Sequence, residues 1–378
     1  MTTHDPIKLI AVGDICPGDH LCPGFGVRSL ARRYGHSFAF QHSSHLLRDA
    51  DIVFGNCEGV LSDVGAEPDD IDTMEFRGEP SFARALRDCG FSVITIANNH
   101  VGEHGLEALR DTTTNLSSAG IKVIGLRGKS GTALPLIQTI RGVKIGWLAY
   151  TWIVSKHVAQ DKKALAWTRG DEVPGEVAAL RSEVDFLIVS AHWGREFIAV
   201  PPQKIIDQAR SIADAGADLI LGHHPHVLQG TEWRGPSLIV YSLGNFLFDM
   251  WQARLRQTAL FRCTIGDGRI LTSEFVPLVI NRSFQPMPAP DHWAVQFKKT
   301  IEQRSKALQD SDYASVRDNA RAAKLEAAWK RWLFRTQLFH LVLSVGRMGP
   351  QISFQKLCRR VPGLARLRRS SRSSAAVH

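Results

Sequence analysis

Eight short apolar runs, rich in β-branched residues, punctuate the chain: Leu9–Val12, Ile52–Phe54, Val93–Ala97, Lys122–Ile124, Lys144–Tyr150, Phe186–Ser190, Leu219–Leu221 and Leu238–Tyr241. None alternates cleanly between apolar and polar, which is the signature of strands covered on both faces. Helical periodicity fills several of the gaps. Ser81–Asp88 places Phe82, Ala85 and Leu86 on one side, Leu106–Ala119 follows, and Pro202–Ala215 carries Ile205, Ile206, Ala209, Ile212 and Ala213 at helical spacing. Strands that alternate with helices predict an α/β fold. Farther on, Thr258–Ile265 and Ile270–Leu278 flank Gly266-Asp267-Gly268, a hairpin pattern. No internal repeat is present.

The pattern changes after about Pro290. Ala294–Lys330 is charged and helix-prone, Arg331–Val345 is apolar but broken by Arg335 and His340, and six arginines follow Cys358. The expected organisation is a main domain over 1–290 and a helical extension over 291–378 that ends in a basic, partly disordered tail. Charge follows the same division. Arg317–His378 holds 14 Lys and Arg against Asp318 and Glu326 and carries +12, so the remainder is −3 although the whole chain is +9. A basic character that suggests anionic surfaces therefore belongs to the tail alone. Trp329, Trp332, Leu333, Leu338, Phe339, Leu341, Val342 and Val345 could form the apolar side of a membrane-surface helix there. No nucleic-acid recognition motif is present, and no specific nucleic-acid binding is expected.

The chain of 378 residues is 44% hydrophobic, enough for a sizeable core, yet has no apolar stretch of about 18 residues that would span a membrane. Its polar start lacks the marks of a signal peptide, so the expected location is the cytoplasm, with a peripheral position at the inner membrane surface as the alternative. Six scattered cysteines fit reduced thiols better than a disulfide framework.

The chemistry lies at the ends of the apolar runs. In open α/β sheets ligands bind beyond the carboxyl ends of the strands. Five ends in a row carry metal-capable side chains here: Asp14, then Asn56 and Glu58 between glycines, then Asn98, Asn99 and His100, then His192, then His223, His224 and His226. Taken singly, an Asp at a strand end is commonly a turn or cap, and an Asn a helix cap. Three histidines in four positions are hard to place as packing. A mixed oxygen and nitrogen set suits Mn, Fe or Zn better than Ca or a thiolate-bound structural zinc. A pair of divalent metals, about 3.5–4 Å apart, is typical of hydrolytic phosphoester sites. Arg77, in Glu75-Phe76-Arg77-Gly78, is a candidate cation for developing negative charge.

The motifs GDIC at Asp14, NCEG at Asn56 and Glu58, ANNHVGEHG around Asn99 and His100, AHWGREF at His192, GADLILGHHPHVLQG, and YSLGNFLFD ending at Asp249 resemble, in order and spacing, the CapA family of capsule and poly-γ-glutamate synthesis proteins. The resemblance covers roughly Leu9–Leu278. Such proteins look like calcineurin-like metallophosphatases, which implies a four-layer α/β/β/α sandwich with a two-metal site at the strand ends. By resemblance Asp14 is a metal-bridging or first-metal carboxylate, and Glu58 stands where the superfamily has its second Asp. Asn99 is then the amide ligand, and His192, His224 and His226 are imidazole ligands. His223 is an alternative to His224. His100 is the proton donor to the leaving group. Two departures stand out: Cys16 occupies the usual position of a His, and Glu58 replaces an Asp that precedes a basic residue. The first metal position is thereby weakened, and core roles are expected for Cys16 and Cys57.

The resemblance implies a metal-dependent hydrolase-like protein, phosphoesterase-type or amide-cleaving, that makes, exports or trims poly-γ-glutamate or a related anionic envelope polymer. The implied partners are that polymer or a phosphoester substrate, and synthase subunits. The alternative is a non-catalytic accessory subunit that keeps the fold to hold a polymer or partner. Trp152–Arg169, without a regular pattern, is expected to form a lid.

Overall fold

The computed structural model describes residues 5–20, 24–65, 75–153, 164–250, 252–309, 327–328 and 331. In the first half of the chain the strands are β1 (Ile7–Ile15), β2 (Ile52–Cys57), β3 (Val60–Leu61), β4 (Arg77–Gly78), β5 (Val93–Thr95), β6 (Lys122–Ile124), β7 (Leu136–Ile140) and β8 (Val143–Thr151). There follow β9 (Phe186–His192), β10 (Leu219–His223), β11 (Thr231–Arg234), β12 (Ser237–Val240), β13 (Asn245–Leu247), β14 (Gln257–Gly266), β15 (Arg269–Ile280) and β16 (Pro286–Pro288). The helices are α1 (Val27–Tyr34), α2 (Ser44–Leu47), α3 (Phe82–Asp88), α4 (Gly105–Ser118), α5 (Val173–Arg181), α6 (Gln203–Asp214) and α7 (Asp291–Ala307).

All eight expected strands form, and two large sheets result beside a small β3-β4 pair. One runs β16-β15-β14-β1-β2-β5-β6, with β13 added beside the end of β1; the other runs β11-β12-β10-β9-β8-β7. Their centres are parallel: β1-β2-β5-β6 in the first and β12-β10-β9-β8 in the second. The expected hairpin is β14–β15, turned through Asp267 and Gly268, both with positive φ.

Three apolar layers hold this together. Between the sheets, Leu9, Phe54 and Phe261 of the first meet Ile145, Trp147, Ile188 and Leu221 of the second. The Phe54 and Trp147 rings stack with centroids 5.1 Å apart. The outer face of the first sheet packs through Ile10, Val53 and Ile94 on Phe82 and Leu86 of α3 and Leu109 and Leu116 of α4. The outer face of the second packs through Leu148, Val189 and Ile220 on Val177 of α5 and Ile206, Ala209 and Ile212 of α6. These are the four α/β/β/α layers that the resemblance implies. A strand buried on both faces must be apolar throughout, which is why alternation was missing from the sequence.

Glycines let the sheet ends converge. A Cβ on Gly13 would sit 2.0 Å from the Gly244 carbonyl oxygen, and one on Gly222 would sit 1.9 Å from that of Tyr241. Through that approach the Asp14 amide bonds to the Gly244 carbonyl at 2.9 Å and the Leu243 amide to Gly222 at 3.0 Å.

Of the extension, α7 sets Phe297 and Ile301 against Leu228 and Ala259. The proposed membrane-surface helix and basic tail lie outside the described residues, as does most of the proposed lid. Four cysteines, Cys16, Cys57, Cys89 and Cys263, are buried free thiols among the described residues. No helix among the described residues is long and apolar enough to cross a membrane.

Gly222→Ala should lower folding stability by about 3 kcal/mol, because backbone rather than a movable side chain blocks the new methyl. Urea unfolding followed by tryptophan fluorescence checks this, and an unchanged midpoint would contradict it.

Candidate metal centre

Strand register gathers the side chains before any contact between them is considered. Asp14 of β1 lies opposite Asn56 of β2 and Asn245 of β13, and His192 of β9 lies opposite His223 of β10. These levels are the carboxyl ends of the parallel strands in each sheet. Beyond β10 the chain turns through His224 and His226, with φ of 95° and 55° on either side of Pro225. Left-handed backbone at two non-glycine residues costs roughly 1–2 kcal/mol each and persists only where surrounding contacts hold it. One such contact is the His224 amide, which donates to Asp14 Oδ2 at 3.2 Å.

Asp14 is fully buried and braced from every side. Its Oδ1 accepts from Asn56 Nδ2 at 2.8 Å and lies 3.1 Å from His223 Nδ1; its Oδ2 lies 3.3 Å from His226 Nδ1. Asn98 does the same work one layer out. Its Nδ2 donates to Asn56 Oδ1 and to the Cys57 carbonyl, and its Oδ1 accepts from the amides of His100 and Val101. Asn98 and Asn56 therefore set the frame into which the other groups project.

Glu58 is the opposite case. It is fully buried, yet neither carboxylate oxygen has a hydrogen-bond partner. Its Oε1 faces three imidazole nitrogens: His100 Nε2 at 3.7 Å, His192 Nε2 at 3.8 Å and His226 Nε2 at 3.8 Å. Those separations exceed hydrogen-bond length. A buried carboxylate without donors is costly, and His224 Nδ1 nearby is also buried and unpartnered. Two donor sets, each with atoms within 4.8 Å of one another, emerge: Glu58, His224 and His226; and Asp14, Glu58 and His192. Glu58 stands in both sets. Oxygen and imidazole donors gathered around unsatisfied buried atoms fit a divalent metal. Of the two adjacent histidines, His224 enters a donor set and His223 braces Asp14.

Asn99 links this set to His100. Its Oδ1 is 2.7 Å from His192 Nε2 and its Nδ2 is 2.9 Å from His100 Nε2. His100 Nδ1 lies 3.0 Å from Glu103 Oε1. A carboxylate there holds the Nδ1 proton and leaves Nε2 facing inward. Glu103 escaped the sequence reading, although its position three residues after a strand-end His is the available signal.

Arg77 is placed elsewhere. Its Nη1 donates to the carbonyls of Ser62 and Val64, both at 2.9 Å, so it ties down the loop that follows Glu58. Burial, with Arg28 beside it, lowers its pKa. The buried thiols of Cys16 and Cys57 are held protonated. Burial and Asp249 raise Cys16 well above its ordinary value, and burial pushes Cys57 up to about 12. Cys16 packs with Phe76, Phe197 and Phe248 in an apolar wall beside the site.

The charges are arranged around protons on His226 and Glu58. Burial disfavours a charged His226, but Glu58 and Asp14 beside it push its pKa up to about 10. Burial and the neighbouring Asp14 raise Glu58 well above the carboxylate range. Against its own burial, Asp14 is held low by His223 and His226. Burial and an adjacent imidazole lower His192, and bring His224 to about 3. A cation that takes His226 and Glu58 must displace protons held by both, so affinity should rise with pH below about 10. Calorimetric titration of chelator-treated protein with Mn or Zn should show heats that depend on the ionisation enthalpy of the buffer. Heats that are the same in phosphate and Tris would contradict this.

Residues 8–250 match the family described as bacterial capsule synthesis protein PGA_cap. The chain is 27% identical over 331 residues to the capsule biosynthesis protein CapA of Bacillus anthracis, covering 85% of this chain and 78% of the relative. It is 29% identical over 318 residues to the PGA biosynthesis protein CapA of Bacillus subtilis (strain 168), covering 82% and 80%. Among solved structures, a putative 5'-nucleotidase from Staphylococcus aureus in complex with alpha-ketoglutarate aligns over 79% of this chain and 58% of its own, at 14% identity and a TM-score of 0.45. With the family match running from β1 through every strand end that carries a donor, the chain belongs to the PGA_cap family of bacterial capsule synthesis proteins.

Proposed function

We propose that this protein is a metal-dependent hydrolase that acts on poly-γ-glutamate or a related anionic envelope polymer during its synthesis, export or trimming. The observation that carries the reading is Glu58, buried with two bare oxygens and ringed by three imidazoles. The names of the two Bacillus relatives supply the polymer class.

One metal position would use Asp14, Glu58 and His192, with the Asn99 amide oxygen beside His192, and a second would use Glu58, His224 and His226. Divalent Mn, Fe or Zn bound there supplies Lewis acidity toward a phosphoryl or carbonyl oxygen. The chain's own groups do the rest. Asn56 and His223 hold Asp14 in place. Glu103 accepts the Nδ1 proton of His100, and the imidazolium form of His100 would deliver its Nε2 proton to the leaving oxygen or nitrogen. Phe76, Phe197 and Phe248 line one side with apolar surface that limits access of bulk water. The basic tail, with its charge of +12, offers complementary charge to an anionic polymer, a synthase surface or a membrane.

A second reading, a non-catalytic accessory subunit, draws support from Cys16. Its thiol is held protonated where the superfamily has an imidazole, so the first position has one donor fewer.

His100→Asn should leave bound metal unchanged and lower turnover of oligo-γ-glutamate or an alkyl phosphodiester by about 10²–10⁴-fold. Metal content and turnover are measured on the same preparation. Undiminished turnover would remove His100 from the reaction, and metal-loaded protein without turnover on either substrate would favour the accessory reading.

A further inference from the structure

The segment Glu75-Phe76-Arg77 belongs to no donor set, yet it is pinned more tightly than packing requires. Phe76 has φ of 50°, left-handed for a bulky residue, and is 7% exposed. Its carbonyl accepts from the Val60 amide at 2.8 Å, and the pairing continues as Val60 opposite Arg77 and Leu61 opposite Gly78. The Cα of Gly59 sits against that carbonyl so closely that an added Cβ would lie 2.4 Å from the oxygen. On one side the Glu75 carbonyl meets His104 Nε2 at 2.8 Å; on the other the Arg77 guanidinium holds the Ser62 and Val64 carbonyls. Strain in a non-glycine residue persists where surrounding contacts over-determine it, and such sites cluster where position matters.

The outcome of that pinning is one contact. The Phe76 ring lies face to face with the His100 imidazole, centroids 3.5 Å apart and planes 7° from parallel. We propose that Phe76 is a positioning residue: it sets the plane of the His100 ring and thereby aims Nε2 at the centre. The inference rests on the reading of His100 as proton donor. Hydrogen bonds to Glu103 at Nδ1 and to Asn99 at Nε2 hold the two edges of the ring but leave its face without support. Stacking against a rigid aromatic face resists tilting of the ring, and Nε2 then stays 3.7 Å from Glu58 and 2.9 Å from Asn99 Nδ2. Arg77 serves the same end through the backbone, as the anchor of the loop on which Phe76 rides.

The test uses the full-length, metal-loaded chain and compares Phe76→Leu, Phe76→Tyr and His100→Asn on two phosphodiesters, one with a p-nitrophenolate leaving group and one with an alkoxide. An alkoxide needs a proton and a nitrophenolate hardly does. Phe76→Leu should lower kcat on the alkyl diester by about 10- to 100-fold at unchanged KM and metal content, with little loss on the aryl diester. Phe76→Tyr, which keeps the ring, should restore kcat. A readout without turnover accompanies this. In metal-free protein with labelled histidine, the His100 ring protons, assigned by their loss in His100→Asn, should be shifted upfield in the native chain and in Phe76→Tyr but not in Phe76→Leu. Full kcat in Phe76→Leu while His100→Asn is impaired would overturn the positioning role and leave the proton donor standing. Equal losses on both diesters would overturn it too, as general damage. Full kcat in His100→Asn, or no turnover by the native chain, would overturn the underlying reading instead.

Discussion

An uncompensated carboxylate deep in a protein is among the most expensive groups a fold can carry. Glu58 is such a group, and much of the surrounding structure is arranged about it. Its Oε1 faces His100, His192 and His226 beyond hydrogen-bonding reach, while the neighbouring Asp14 is braced at short range by Asn56, His223 and the His224 amide. The contrast separates two duties among residues of the same chemical type. Two amides, Asn56 and Asn98, and one imidazole, His223, are spent as frame, and Asp14, Glu58, His192, His224 and His226 are left in donor sets that a divalent cation would fit. Without a cation, protons held on Glu58 and on His226 reduce that charge.

The fold makes this arrangement affordable in geometry. Two sheets must bring their carboxyl ends together closely enough for β1 of one to share a site with β9 and β10 of the other. Gly13 and Gly222 permit backbone-to-backbone approach at that seam, and Phe54 stacked on Trp147 closes the interior just below it, with His223 resting against Phe54 at 5.7 Å. Left-handed backbone at Phe76, Phe197, His224 and His226 then rims the site. The other non-glycine residues with positive φ among the described residues, Arg141, Asp267 and Phe284, lie in turns between antiparallel strands.

Much of this was legible from the sequence, for physical reasons. Strands buried on both faces announce themselves as unbroken apolar runs, and the donors could be ordered because each follows such a run directly. What escaped notice lacked that signal. β7 (Leu136–Ile140) and β11 (Thr231–Arg234) are edge strands, half-exposed and polar enough to pass for loop. α5 opens on Val173-Pro174-Gly175, which imitates a turn. At the site, the positive charge of Arg77 was readable but its partners, two backbone carbonyls from the preceding loop, exist only after folding. The different contacts of His223 and His224 likewise depend on how the end of β10 in one sheet meets the end of β1 in the other. Glu103 and Phe76 were missed because orientation of a ligand's neighbour leaves no periodicity in the chain.

The account stands or falls on whether Glu58 is the shared carboxylate of a metal centre. Protein purified without chelator should carry about two Mn, Fe or Zn per chain by plasma mass spectrometry, and Glu58→Gln, nearly isosteric but neutral, should lose most of that metal while keeping the native circular dichroism spectrum. Native metal content in Glu58→Gln, or no metal in the native chain even after reconstitution, would contradict it.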